Sequence, residues 1–349
     1  MKVPNRYELS GGSNSGGMGD IFFCTDKHLQ RDVVFKLLKD GEDERRLLDE
    51  QRALIRLRSK HVVQLFDVVT VDDGRKKTAL VLEFINGDDL KVGGSVPGDA
   101  FLQILWQIAC GLADIHAAHV IHRDIKPGNI RVDGSGVVKI LDFGLARRAG
   151  TDAKTTNIIG TIGYMAPELW GGATISFDAS IDVYAFGVTA LALLGVKPPD
   201  GILERPPKPV VSNALSFLNG AIPADLVTML EECLSYKSAH RPSMRAVEEM
   251  LRQHLLKDRH RALVVMGGAT HELNATKRTM RLTYGAIGIV QIGYDGFRFS
   301  VIAFDGVVSI NNQPVSVGAM LPDCCVITFG AAAARAFVTF DVSNPEVMS

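Results

Sequence analysis

The stretch His122-Arg-Asp-Ile-Lys-Pro-Gly-Asn129, followed by Asp142-Phe-Gly144, constrains this chain more than any other feature. Eight specified residues, each used at about 5% in ordinary proteins, coincide at a given placement with a frequency on the order of 10⁻¹⁰. Such a run is not an incidental loop. Around it, strand-like and helix-like segments alternate up to about residue 258. From Ala262 onward helical periodicity disappears. Short β-rich runs take over, separated by Gly, Asn, Asp and Pro: Met280–Tyr284, Ile287–Ile292, Phe297–Phe304, Val307–Ile310, Val326–Phe329 and Ala336–Val342. The 349 residues therefore read as two domains, a mixed α+β part at 1–258 and a small all-β sandwich or barrel at 262–349.

Composition removes several classes. Thirty-eight Lys and Arg against 39 Asp and Glu leave a net charge of −1. That is not the basic balance of a sequence-independent nucleic-acid binder, so no nucleic-acid partner is expected. Hydrophobic residues at 46% and charged residues at 22% exclude wholesale disorder. Apolar runs such as Val183–Leu194 are shorter than a membrane span, and the first residues carry no secretory signal. Five scattered cysteines make neither a disulfide framework nor a zinc site, which suits a reducing cytoplasm.

The residue types in the central stretch suit phosphoryl transfer, which needs a carboxylate at the attacking hydroxyl, metal ligands at the phosphates and positive charge on the moving group. Asp124 supplies the first, Asn129 and Asp142 the second, Lys126 the third. Upstream, Lys36 ends the apolar run Val33-Val34-Phe35 and needs a partner if its stem is buried. Glu50 lies in Glu42–Leu57, where Leu47, Leu54 and Leu57 recur at helical spacing, and such a helix could bring it to Lys36. Earlier still, the Gly- and Ser-rich stretch Leu9–Ile21 reads either as a phosphate-cradling loop or as a flexible lead-in. A Walker-type lysine pattern is absent.

On these motifs the chain resembles the eukaryotic-type Ser/Thr protein kinases, especially their bacterial members, over roughly residues 5–258. The resemblance implies a bilobal fold, with a β-rich N-lobe at about 1–85 and a helical C-lobe at about 86–258. It implies ATP with Mg²⁺ (Mn²⁺ as a substitute) and Ser or Thr of proteins as acceptors. Gly16, Gly17 and Gly19 would cover the phosphates, with Ile21 and Val34 roofing the base. Lys36 and Glu50 would be the strand lysine and its helix partner. Leu82 through Ile85 would form gatekeeper and hinge, with backbone groups of Glu83 and Ile85 on adenine. Asp124 would be the catalytic base, Lys126 the γ-phosphate contact, and Asn129 and Asp142 the metal ligands. Asp182 would hold the catalytic loop, and Arg241 would pair with Glu168 of Ala166-Pro167-Glu168. Thr161 would bridge Asp124 and Lys126, the Ser/Thr rather than Tyr pattern. The competing class is a nucleotide-binding pseudokinase scaffold, or a phosphopeptide-binding module, without turnover.

Three positions depart from the family. Asn14 stands at the first glycine of the loop and Val34 at a small alanine. Arg131 stands at the apolar adenine floor, where it would stack on the purine or swing to an acidic neighbour such as Asp88. Arg123, before Asp124, offers a cation that a phosphate could order, and Thr155 or Thr156 is the expected autophosphorylation site.

The C-terminal segment Val308–Gly330 resembles the end of a forkhead-associated (FHA) sandwich. That family reads phosphothreonine through an Arg after Gly, a Ser-x-x-His turn and the Asn of Asn-Gly. Here Asn311 matches, followed by Asn312, and neither of the other two motifs is found. Two expectations stay open: a divergent FHA-like domain whose phosphate pocket is vestigial and which docks partners or its own kinase elsewhere, or a plain β-sandwich with an unrelated structural role. His116, His119 and His28 show no metal spacing, Trp106 reads as core, and one of Cys324 and Cys325 is expected to be buried.

Overall fold

The computed structural model describes residues 1–15, 19–38, 44–148, 154–155, 160–170, 175–176, 178–331, 335–343 and 345–347. The chain divides into two compact units, Met1–Leu251 and Arg252–Met348, so the boundary falls before the residue 258 read from composition.

The first unit begins with β1 (Tyr7–Ser15), β2 (Asp20–Asp26), β3 (Arg31–Leu37), helix α1 (Glu44–Arg56), β4 (Leu65–Asp72) and β5 (Lys76–Glu83). The strands form one antiparallel sheet in the order β1-β2-β3-β5-β4. Strand periodicity sorts β3: Val33, Phe35 and Leu37 are buried in the sheet's core with Tyr7, Cys24 and Val81, while the alternate residues Val34 and Lys36 line a cavity. In the Gly- and Ser-rich start, residues 16–18, where the phosphate-cradling loop is read, lie outside the described residues, and the part before them is β1. That strand is broken by an irregularity between Leu9 and Ser13 where Gly11 and Gly12 hold φ of 81° and 91°. Only glycine takes that geometry without strain, so these two serve the bulge.

The rest of the unit carries β6 (Gly87–Asp89), α2 (Asp99–Ala117), β7 (Val120–Ile121), β8 (Ile130–Asp133), β9 (Val138–Ile140), β10 (Arg147–Arg148), β11 (Lys154–Thr155), β12 (Ile175–Ser176), α3 (Ser180–Leu194), α4 (Ala224–Cys233) and α5 (Met244–Leu255). Helices α2 and α3 are apolar nearly all round, the pattern of a core helix. By length and apolarity α2, and not Val183–Leu194, is the segment that could cross a membrane, yet Phe101, Leu105, Ile108 and Leu112 are buried inside the unit. Trp106 is buried too, donating to Glu248 at 3.1 Å.

The second unit holds β13 (Ala262–Met266), β14 (Ala269–Leu273), β15 (Thr279–Tyr284), β16 (Gly288–Tyr294), β17 (Phe299–Gly306), β18 (Val308–Ile310), β19 (Gln313–Pro314), β20 (Cys324–Phe329) and β21 (Ala336–Val342). A six-stranded sheet, β14-β13-β21-β20-β18-β19, and a three-stranded one, β15-β16-β17, share one apolar core that includes Val264, Ile292, Val301, Ile327, Phe329 and Phe340. This is a sandwich. Of the strands absent from the sequence pattern, β14 lies at a sheet edge and buries only Leu273, so it has no apolar alternation to read. Cys325 is buried and Cys324 exposed.

Candidate active site

Lys36 projects from β3 into the cavity and meets two carboxylates, Glu50 of α1 and Asp142, each at 2.7 Å. Burial penalises the Lys36 ammonium, but the two carboxylates outweigh it and carry its pKa above the ordinary range. Burial also opposes the Asp142 carboxylate, and Lys36 still pulls its pKa below the usual value. Both groups are therefore charged at neutral pH. Asp142 holds φ at 60°, a left-handed conformation that a non-glycine residue keeps only under constraint from its surroundings.

The segment after β7 forms a second cluster. Thr161 donates to Asp124 from its backbone N–H at 3.1 Å and from its hydroxyl at 2.7 Å. Lys126 donates to the other Asp124 oxygen at 2.7 Å and to the Thr161 hydroxyl. Asn129 donates through Nδ2 to the same Asp124 oxygen and to its main-chain carbonyl, both at 2.8 Å. Beneath this loop Asp182 of α3, fully buried, accepts the backbone N–H groups of His122 and Arg123 at 2.8 Å and faces His116 Nε2 at 2.9 Å. Burial alone would raise the Asp182 pKa, but the His116 hydrogen bond and the surrounding donors lower it. Arg123 adopts φ of 73° and lies under the same hold.

A cavity of about 270 Å³ joins the two clusters. Gly19, Ile21, Val34, Leu82, Glu83, Ile85 and Arg131 line it together with Lys36, Glu50, Asn129 and Asp142. The Glu83 side chain turns to Lys139, at 2.8 Å, which leaves its backbone beside the cavity. A Cβ on Gly19 would stand 2.5 Å from the Leu37 carbonyl oxygen, so the close approach of β3 already requires glycine there. Gly16, Gly17 and Thr156 lie outside the described residues. Arg131 lines the cavity and pairs with an acidic neighbour other than the one named above: Nε meets Asp89 at 2.8 Å, not Asp88, and Nη1 lies 3.5 Å from the Ile85 carbonyl oxygen. The one-residue error follows from register, since Asp89 is the residue paired with Arg131 across β6 and β8.

Arg241 is buried and makes a two-pronged pair with Glu168, at 2.6 and 2.9 Å, while also donating to the Ser180 and Ser235 carbonyls. The backbone of Thr155 pairs with Ile175, and burial beside Arg147 lowers the Arg123 pKa to about 10. The sequence reading set His116 aside as a satisfied or surface histidine rather than a ligand; the partner that satisfies it, Asp182, lies 66 residues away.

Asn129 and Asp142 offer oxygen donors to one cavity, the chemistry a hard divalent cation such as Mg²⁺ takes, completed by substrate phosphates. The family model of the protein kinase domain matches residues 12–255. The chain belongs to the protein kinase family. It is similar to the Ser/Thr protein kinase PknA of Corynebacterium glutamicum, 32% identical over 231 residues that make up 62% of this chain and 48% of that protein. The probable Ser/Thr protein kinase PknB of the same organism is 35% identical over 212 residues, 56% of this chain and 32% of its own. The Ser/Thr protein kinase PrkC of Bacillus subtilis is 30% identical over 235 residues, 64% and 35%. The matched region thus spans about half or less of each of these relatives.

Proposed function

We propose that this protein kinase transfers the γ-phosphoryl group of ATP to Ser or Thr hydroxyls of proteins. The observation that carries the reading is Asp124, locked by Lys126, Thr161 and Asn129 beside the cavity that holds the Lys36–Glu50–Asp142 cluster. Asp124 accepts the proton of the acceptor hydroxyl as that oxygen bonds the γ-phosphorus and the β–γ bridging bond breaks toward ADP. Lys126 sets positive charge beside the transferring group, and Lys36, fixed by Glu50, orients the nucleotide's phosphates. Asn129 and Asp142 would hold Mg²⁺, or Mn²⁺ in its place, which supplies charge neutralisation at the phosphates. Ile21, Val34, the hinge backbone at Glu83 and Ile85, and the Arg131 guanidinium enclose the base. Thr155 or Thr156 is the acceptor when the kinase modifies itself. Five free cysteines suit a reducing, cytoplasmic setting.

Radiolabelled ATP with wild type and Asp124→Asn tests the reading. Transfer by the wild type and at least a hundredfold less by the variant supports it. Nucleotide binding with equal absence of transfer in both would establish the scaffold without turnover.

The second unit is read as a divergent FHA-like sandwich that docks protein partners away from a phosphothreonine pocket. Two features support it: the two sheets sharing one core, and Asn311, which sits in a β18–β19 turn and accepts the Val326 N–H at 3.0 Å. That side chain is occupied by its own sheet. Titration with phosphothreonine peptides tests the reading, and micromolar binding lost in Asn311→Ala would refute it.

A further inference from the structure

A second ion pair ties α1 to the strand that follows Asp142. Asp49, the residue before Glu50, meets Arg147 of β10, its Oδ2 2.7 Å from Nη1, with a quarter of each side chain exposed. Repulsion from Arg147 adds to burial in lowering the Arg123 pKa. Helix α1 brings a carboxylate to Arg147 itself. Glu50 and Asp49 are consecutive, so two links leave the same turn of helix: one through Lys36 to Asp142, the other directly to Arg147. Each fixes the helix against the segment that carries Asp142. In the sequence reading, the anion for the Arg123 neighbourhood was a phosphoryl group on Thr155 or Thr156. The structure pairs a carboxylate with Arg147 from the outset.

We propose that Asp49 is a built-in anion at Arg147, positioning α1 so that Glu50 stays on Lys36 before any phosphoryl group is added. The proposal rests on the kinase reading above and specifies its regulation. Phosphorylation of the segment would compete with Asp49 for Arg147 instead of supplying a missing charge. The unmodified enzyme is then already competent. Asp49 touches neither nucleotide nor acceptor, so it is a positioning residue.

The test uses the full chain, treated with a protein phosphatase, and radiolabelled ATP with myelin basic protein as acceptor. Dephosphorylated wild type and the Thr151→Ala/Thr155→Ala/Thr156→Ala variant keep activity within about twofold of the phosphorylated enzyme. Asp49→Asn loses about five- to tenfold in kcat, with the KM for acceptor unchanged, and becomes dependent on segment phosphorylation. Asp49→Arg and Arg147→Asp each lose a similar factor, and the double exchange recovers most of it; the acquired dependence on phosphorylation is the readout a merely structural role would not move. Three results overturn the proposal alone: a more than tenfold fall on dephosphorylating the wild type, an Asp49→Asn enzyme as active as wild type, or an exchange no better than its single variants. Wild type no more active than Asp124→Asn overturns the kinase reading, and this proposal with it.

Discussion

Two sets of polar side chains, one set from each unit, are spent in opposite ways. In the second, Asn274 Oδ1 collects the N–H groups of Thr276 and Lys277 and the Thr276 hydroxyl, and Asp295 caps Phe297 and Arg298, all within three residues of themselves. Those are turn-makers. In the first, Asp124 is held by Thr161, 37 residues away, and Asp182 by backbone 59 and 60 residues away. Local hydrogen bonds shape the chain where it stands. Distant ones are justified only by the position they enforce, and here they enforce a carboxylate beside a cavity.

The largest effect should come from the anchor that is sealed completely, Asp182, whose side chain is fully buried. Asp182→Ala leaves two buried N–H groups and His116 without their acceptor, a loss of about 3–5 kcal/mol. The loop it holds carries Asp124, so kcat should fall about a hundredfold even where the protein stays folded. Urea unfolding and steady-state kinetics measure the two. Full activity in a folded Asp182→Ala protein would break the distinction drawn between the units.

Arg241→Ala comes next. It removes a fully buried guanidinium from Glu168, but that carboxylate is a quarter exposed and rehydrates. The cost should be about 2–3 kcal/mol in unfolding free energy, smaller than for a pair sealed on both sides. An unchanged midpoint would place the pair among ordinary surface bridges.

How far these contacts could be read in advance follows from the same distinction. Asp124, Asn129 and Asp142 were legible because the chemistry dictates residue type and spacing within one short stretch. Lys36 and Glu50 were legible because strand and helix periodicity each pointed one polar residue the wrong way for a core. His116, Lys139 and the Asp49–Arg147 pair were not, since nothing local marks a residue whose partner arrives from another element. The bulge at Gly11 and Gly12 was not legible either, since composition shows conformational freedom but not whether a bulge or a loop uses it. Arg131 was legible as a departure, yet its partner needed the β6–β8 register to be known.

Arg131 sharpens the comparison inside the first unit, because it lines the cavity without belonging to the network around Asp124. Its pair with Asp89 is largely exposed and worth under about 1 kcal/mol. Its contribution to a bound purine is a cation against a π face, about 1 kcal/mol. Arg131→Ala should raise the KM for ATP about fivefold and leave kcat as it is. A fall in kcat would tie Arg131 to the reacting groups.

The smallest effect belongs to Asn311, the residue that would matter most if the second unit read phosphothreonine. Asn311 and Asn312 hold φ of 47° and 66° in the β18–β19 turn, a geometry Asn tolerates better than alanine. Replacing Asn311 by Ala gives up that tolerance and the bond to the Val326 N–H, about 1 kcal/mol together. Asn311→Gly keeps the backbone freedom and should cost about half as much. Neither variant should alter transfer to a protein acceptor, and neither should change the response to a phosphothreonine peptide. Equal stability with a lost peptide response would show Asn311 facing a ligand, and the second unit would then spend its polar groups as the first one does.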